Sequence, residues 1–316
     1  MPQLKVGYFN NSADPAKVIA RCNELGVRYV NLGVGGMPGY KEGRTLNVPA
    51  MRELIGKLND AGIEVLAMSQ KGHLKSFPPA SEPDILLNPS KHRKEIDAAL
   101  QVIRAQGDLG IRSQLQYINF PEPQDPAMDE AYWAGMISIF KELIAEAERA
   151  KVGIGNHGIW RCIPDGIREE AIKNGLTADG YRHYIEPKFN GPYLVRTVEH
   201  CRRLAEAVPS PYHGITMCTG MYIHGGDPLA EMPKWKGKIF FCQIRDLNAH
   251  WPHSREMFPG TGVLNFKAIL TALKDAGYTG FLHPEHLGNP SYPGEDLELK
   301  ATKLLKDWVK HVRGAA

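Results

Sequence analysis

A disulfide framework is the first thing this 316-residue sequence lacks. Its cysteines number five, Cys22, Cys162, Cys201, Cys218 and Cys242, odd in count and scattered along the chain. They read as cytosolic thiols or as ligands. A surplus of charge is missing too: 38 basic against 35 acidic side chains leave a net +3. That balance gives no electrostatic reason to expect nucleic acid or an anionic membrane as a partner. No run approaches the ~18 apolar residues of a membrane span. The opening MPQLKVGYFNN has neither the apolar stretch nor the small-residue cleavage site of a secretory signal. Low-complexity linkers are absent, and so is any repeat beyond an alternation of strand and helix, so nothing marks a second domain. The 43% hydrophobic and 23% charged residues are ordinary globular composition. A chain of this length buries about three-quarters of its unfolded surface without cross-links. These exclusions predict a cytoplasmic, soluble α/β protein.

Short β-branched or apolar runs alternate with amphipathic stretches from end to end. Strands are expected at 4–10, 28–35, 64–70, 113–120, 151–158, 213–220, 238–246 and 280–288. Helices are expected at Asp14–Leu25, Val48–Ala61, Lys91–Gln106, Asp129–Ala150, Leu194–Ala207, Asn265–Ala276 and Asp296–Arg313. Asp14-Pro15 and Asn47 open two of them, and Gly26, Gly62, Gly110 and Gly277 follow helix ends. Eight strand signals separated by helices predict a single (β/α)8 TIM barrel over residues 1–316. The alternative, an open doubly wound sheet, is disfavoured because NSADP, with no glycine for a phosphate turn, follows the first strand. Residues 159–193, rich in charge, Gly and Pro, are expected to form an insertion over the barrel mouth. The basic stripe Lys300, Lys303, Lys306, Lys310 and Arg313 has helical spacing and reads as a solvated face.

Barrel active sites lie at the C-terminal ends of the strands. Period-two alternation then sorts the inward side chains. Gly153, Gly155 and His157 share a face of the fifth strand, and Thr216 and Cys218 a face of the sixth. Phe241, Gln243 and Arg245 share a face of the seventh, and Phe281, His283 and Glu285 a face of the eighth. Four consecutive strands therefore end in imidazole, thiol, amide and carboxylate, each able to bind a divalent cation. A lone histidine or cysteine is usually structural; it is their concurrence at one end of one barrel that points to a metal.

The segments GITMCTG, KIFFCQIRDL and MFPGTGVLNFKAILTALKDAGYTGFLHPEHLG, with QYINFPEP upstream, resemble mannonate dehydratase, of the xylose-isomerase-like metal-dependent TIM barrels. The resemblance covers most of the chain loosely, and the Cys-Thr-Gly strand with the two signatures after it is its most specific part. In that family the cation, typically Mn²⁺, is held by a His, the Cys of Cys-Thr-Gly, a His on strand 7 and an Asp on strand 8. Carried over by position, the resemblance implies His157, Cys218, Gln243 and Glu285, with Mg²⁺, Co²⁺ or Zn²⁺ as other candidate ions. Asp→Glu at 285 keeps the carboxylate. His→Gln at 243 replaces imidazole by a weaker amide-oxygen donor and shifts the set toward harder cations. The family's acidic, Pro-rich segment after the strand-5 His gives way to Gly158-Ile159-Trp160-Arg161, which points from mannonate to a related sugar acid or keto-sugar.

A cation on an α-hydroxy carboxylate or carbonyl acidifies the neighbouring C–H. A base then removes the proton, and an acid either returns it to the next carbon or protonates a departing hydroxyl. Candidate acid/base groups are His286, His283, His224 and Tyr222. Arg245 suits a carboxylate or vicinal oxygens, weighed against a structural ion pair with Asp246 or Glu285. His250 and His253 are lid residues, a replacement ligand or solvated bystanders. Tyr8, Phe9, Tyr117, Phe120, Trp160, Phe241 and Trp251 suit either sugar stacking or core packing. Glu122 and Asp125 read first as part of a Pro-rich turn. A cysteine nucleophile at Cys218 is disfavoured, since reactive thiols sit at helix N-termini. The expected function is a metal-dependent dehydratase acting on a small sugar acid or keto-sugar. A sugar isomerase or epimerase, or a non-catalytic sugar-binding barrel with a degenerate metal site, is the alternative. Association into a homo-oligomer through exposed barrel helices is a further expectation.

Overall fold

The computed structural model describes residues 4–70, 84–118, 120, 123, 125–158, 194–195, 197–220, 227–249, 256–287 and 296–314. The expected insertion at 159–193 lies outside them. Eight parallel strands form the barrel: β1 in two segments, Lys5–Val6 and Tyr8–Asn10, then β2 Tyr29–Gly33, β3 Glu64–Gln70 and β4 Ser113–Ile118. β5 Gly153–Gly158, β6 His213–Cys218, β7 Ile239–Ile244 and β8 Phe281–Pro284 complete it. The first segment of β1 pairs with β8 and the second with β2, so the ring of strands closes through Gly7. Nothing larger than glycine fits there, because a Cβ would lie 2.4 Å from both the Phe281 ring and the Tyr29 carbonyl oxygen. Each expected strand is present, and the sheet is the barrel rather than the open alternative.

The longer helices are α1 Pro15–Leu25, α2 Val48–Asp60, α3 Arg93–Asp108, α4 Asp129–Ala150, α5 Val198–Ala207, α6 Phe266–Asp275 and α7 Leu297–Gly314. The expected caps operate: Asp14 accepts from the Ala16 N–H at 3.0 Å and Asn47 from the Ala50 N–H at 3.1 Å. Two starts shift. A short 3₁₀ turn, Pro89–His92, takes the first residues expected of α3, and Thr197 delays α5 by accepting from the His200 N–H. None of the helices among the described residues is long and apolar enough to cross a membrane.

Two apolar layers hold this arrangement. The larger lies between strands and helices and includes Val30, Met51, Ile103, Phe140, Leu204 and Leu270. The smaller fills the barrel with Ala67, Leu115, Phe241 and Phe281, and Phe241 and Phe281 meet at 5.0 Å between ring centroids. Phe241 and Phe281 lie one alternation below Gln243 and His283, so this inner layer is the floor beneath the strand ends. At the seam, Arg21 of α1 grips Asp296 and Glu298, at the start of α7, each at 2.6 Å. Lys306, from the basic stripe, donates to the Gly26 carbonyl at 2.6 Å, which caps the end of α1.

Candidate metal centre

Five consecutive strands, β4 to β8, bring Tyr117, His157, Cys218, Gln243 and Glu285 together. Tyr117 is the register partner of His157, Cys218 of Gln243, and Gln243 of His283. Glu285 lies one residue past β8 and extends its ladder by donating its N–H to the Ile244 carbonyl at 2.9 Å. Candidate ligand atoms of His157, Cys218 and Glu285 all fall within 4.8 Å of one another. His157 and Cys218 are buried, and the Glu285 side chain keeps 11% of its surface exposed. Nδ1 of His157 lies 2.6 Å from the Gly158 carbonyl oxygen. A carbonyl only accepts, so Nδ1 carries the hydrogen and Nε2 is the lone-pair nitrogen of the neutral ring. A hydrogen bond of this kind, from the nitrogen that does not face the metal, is what sets a metal-binding histidine's tautomer.

Gln243 adds an oxygen. Its Nε2 donates to the Tyr117 hydroxyl at 3.0 Å, and that hydroxyl donates to Glu285 Oε1 at 3.4 Å. Burial first and the Glu285 charge second push the Tyr117 phenol well above its ordinary pKa, which keeps its proton in place. The other end of the amide, Gln243 Oε1, is buried with no hydrogen-bond partner among the described residues. An unsatisfied buried acceptor costs about 1–3 kcal/mol, and a cation beside it would remove that cost. The nitrogen, sulfur and oxygen donors gathered here fit a divalent transition metal.

Each letter of Cys-Thr-Gly has a physical task at the end of β6. Cys218 supplies the thiol. Thr219 Oγ1 accepts from the Arg245 N–H at 2.8 Å and donates to the Arg245 carbonyl at 2.6 Å, so it ties β6 to the residue after β7. Gly220 makes way for the Arg245 side chain, since a Cβ there would lie 2.5 Å from Arg245 Cδ.

Arg245 pairs with Glu256, which is neither of the carboxylates weighed for it from sequence. Asp246 instead accepts four backbone N–H groups, from Leu247, Gly260, Gly262 and Leu264. Those bonds fold the following loop back, and its short strand Glu256–Met257 pairs antiparallel with Asp246–Leu247. Glu256 is thereby set beside two candidates at once: its Oε1 also lies 2.8 Å from Nδ1 of His286. Nε2 of His286 is 3.7 Å from Glu285 Oε1. His286 has φ 49°, a left-handed conformation uncommon outside Gly but more accessible to Asn, Asp and His than to other residues. His283 is buried with its ring 5.6 Å from that of Phe9 and 6.1 Å from that of Phe281.

The other sequence candidates scatter. Tyr222, His224, His250, His253, Glu122, Trp160 and Trp251 lie outside the described residues. Asp125 caps the short turn Pro126–Met128, in line with its reading as part of a turn. Two participants escaped the sequence reading: Glu256, and the hydroxyl of Tyr117, which figured there only as a ring.

Fold and strand-end geometry together define a class, parallel eight-stranded barrels that gather polar ligands at their C-terminal mouth. The family description "Xylose isomerase-like TIM barrel" matches residues 19–308, and the chain belongs to that family. Among curated proteins it is similar to mannonate dehydratase 2 of Halalkalibacterium halodurans, 32% identical over 136 residues, 38% of this chain and 39% of that protein. The chain thus spans well under half the length of the curated relatives it matches. Among solved structures, mannonate dehydratase from Streptococcus suis serotype 2 superposes with a TM-score of 0.71 at 17% identity, covering 100% of this chain and 95% of that one. An L-ribulose 3-epimerase superposes with a TM-score of 0.66 at 16% identity, covering 99% and 96%.

Proposed function

We propose that this chain is a divalent-metal-dependent lyase that removes water from a sugar acid or keto-sugar. The observation that carries this reading is the convergence of His157, Cys218 and Glu285 ligand atoms within 4.8 Å at the barrel mouth. Similarity to mannonate dehydratases supports the dehydratase branch of the chemistry. His157, Cys218 and Glu285 would hold the cation, with the amide oxygen of Gln243 as a fourth donor. A bound divalent ion would supply Lewis acidity, polarising the substrate's carboxylate or carbonyl oxygen so that the adjacent C–H is more acidic.

The chain's own groups supply the rest. Glu256 accepts from Nδ1–H of His286 and so leaves Nε2 as the proton-accepting nitrogen. That makes His286 the base for the α-proton, and its protonated form the acid for the departing β-hydroxyl. The C–H pair becomes a carbon–carbon double bond as the C–O bond breaks, water leaves, and the enol rearranges to a 2-keto-3-deoxy product. Arg245, oriented by Glu256 and Thr219, provides the cationic fork for a substrate carboxylate. His283, between two aromatic rings, is the second acid/base candidate. The buried thiols Cys22, Cys201, Cys218 and Cys242 form no disulfide, which supports a reducing, cytoplasmic setting.

A sugar isomerase or epimerase on the same centre is the second reading. It is favoured by the departure of residues 243 and 285 from the dehydratase donor pattern. The test begins with elemental analysis of the purified protein before and after Mn²⁺ reconstitution and desalting. About one equivalent retained, and lost in Cys218→Ala and His157→Ala, is expected. Sugar acids and keto-sugars are then screened for a 2-keto-3-deoxy product; turnover that keeps every substrate atom selects the second reading. No retained metal in any sample overturns both and leaves a binding-only barrel.

A further inference from the structure

We infer that Tyr117 is the positioning residue that turns the Gln243 amide so that its oxygen, not its nitrogen, is offered to the cation. This rests on the metal reading above. A primary amide can present either end, and only the oxygen is a useful ligand; the NH₂ group is purely a donor. Imidazole at the same position meets that choice by moving a proton between its ring nitrogens, without turning the side chain.

The choice follows from a chain of hydrogen-bond polarity that starts at Glu285. An ionised carboxylate only accepts, so the Tyr117 O–H, 3.4 Å from Glu285 Oε1, must donate to it. With its hydrogen committed, the phenol oxygen is an acceptor toward Gln243, and only the NH₂ end can answer it, at 3.0 Å. The amide oxygen is then left at the far end, buried and without a partner among the described residues. Register supports the arrangement: Tyr117 sits beside His157 on β4, and Gln243 beside Cys218 on β7, so the phenol reaches across the mouth rather than along one strand. Glu285 thus has two tasks, as a candidate ligand and as the group whose charge orients a second ligand through Tyr117.

The test is a double-mutant cycle read by Mn²⁺ affinity, from calorimetric titration of metal-free wild type, Tyr117→Phe, Gln243→His and the double variant. Tyr117→Phe should weaken Mn²⁺ binding about tenfold, as lost outer-shell partners do. The same change should cost distinctly less in the Gln243→His background, where no amide needs orienting. Gln243→Leu, which removes the oxygen and keeps the bulk, should bind Mn²⁺ at least as weakly as Tyr117→Phe; should Tyr117→Phe not fold, Tyr117→Met, which also lacks the hydroxyl, takes its place in both backgrounds. Equal losses in both backgrounds mark a purely structural tyrosine and overturn the inference, as do undiminished binding by Tyr117→Phe or by Gln243→Leu. Those outcomes leave the metal reading standing. A wild type that binds no Mn²⁺ removes both.

Discussion

Mild acid should weaken this fold through one buried imidazole. His213 opens β6, the strand that ends in Cys218, and its ring stacks on Phe140 at 5.8 Å. Nδ1 lies 2.7 Å from the Val208 carbonyl and Nε2 2.7 Å from the Asn156 amide nitrogen. The carbonyl requires a hydrogen on Nδ1, so Nε2 accepts from Asn156 and the neutral ring is fully satisfied. A second proton would face the Asn156 NH₂ group. Burial is the main reason the pKa falls to about 4; the Lys238 charge acts in the same direction and the Val208 carbonyl opposes it. In the unfolded chain the value is about 6.5. Between those limits the unfolded state binds more protons, so stability rises with pH. The contribution is fully present above about pH 6.5 and is lost as pH falls toward 4. At about 1.4 kcal/mol per unit, the loss approaches roughly 3 kcal/mol, a large share of a typical folding free energy of about 5–15 kcal/mol. The assay is urea unfolding from about pH 7.5 down to about pH 4.5, on wild type and on His213→Gln, which keeps a donor and an acceptor but cannot titrate. Wild type should lose stability across this window more steeply than the variant, and equal slopes would refute the assignment to His213.

At lower pH the seam between α1 and α7 should respond. The Arg21 guanidinium beside Asp296 holds that carboxyl at about 2. This depressed value stabilises the fold above about pH 4, and the gain is lost as pH falls toward 2. Solvent screening limits the effect to about 1 kcal/mol, so Arg21→Ala should lower the urea midpoint slightly at neutral pH and by distinctly less near pH 2. Asp246→Asn leaves one acceptor oxygen for four N–H groups, two on each oxygen of the wild-type carboxylate. With two buried donors orphaned, it should cost at least about 2 kcal/mol and speed hydrogen exchange at Gly260 and Gly262; an unchanged urea midpoint would contradict that role.

The strands and most helix ends were legible because barrel rules are local: apolar period, an N-cap such as Asn47, a glycine such as Gly26 after a helix. The convergence of side chains at the strand ends was legible for a related reason. Once eight strands are placed, alternation assigns His157, Cys218, Gln243 and Glu285 to inward positions without any tertiary information. What escaped the sequence depends on partners far along the chain. Tyr117 and Gln243 are 126 residues apart, and nothing near Tyr117 distinguishes a phenol that bonds from a ring that packs. The available signal was its place two residues beyond Leu115, on the face that points into the barrel. Glu256 was hidden differently, by a loop whose return depends on one carboxylate. Asp246 followed by Gly260 and Gly262 was the visible trace, since a buried acceptor of several N–H groups needs backbone that can approach closely. The same blindness assigned Arg245 a neighbour in sequence instead of its partner across the hairpin.

The donor set also predicts which cation the centre prefers and how that preference can be moved. On the proposed reading it offers one imidazole nitrogen, one thiolate, one carboxylate oxygen and one amide oxygen. Thiolate and imidazole work against Mg²⁺ and Ca²⁺, which take oxygen donors. The amide oxygen works in the other direction: where imidazole suits Zn²⁺, a neutral oxygen favours harder ions such as Mn²⁺. Intrinsic affinities are still higher for Zn²⁺ than for Mn²⁺, so the informative quantity is the ratio of the two affinities rather than either alone. Gln243→His exchanges an oxygen for a nitrogen at one position and leaves the other three donors untouched. It should tighten both ions and raise the Zn²⁺ affinity by the larger factor, so that the Zn²⁺/Mn²⁺ ratio climbs. Competition titrations of wild type and variant measure that ratio directly. An unchanged ratio would mean that residue 243 does not reach the cation, and the buried oxygen of Gln243, without a partner among the described residues, would then need one other than a metal.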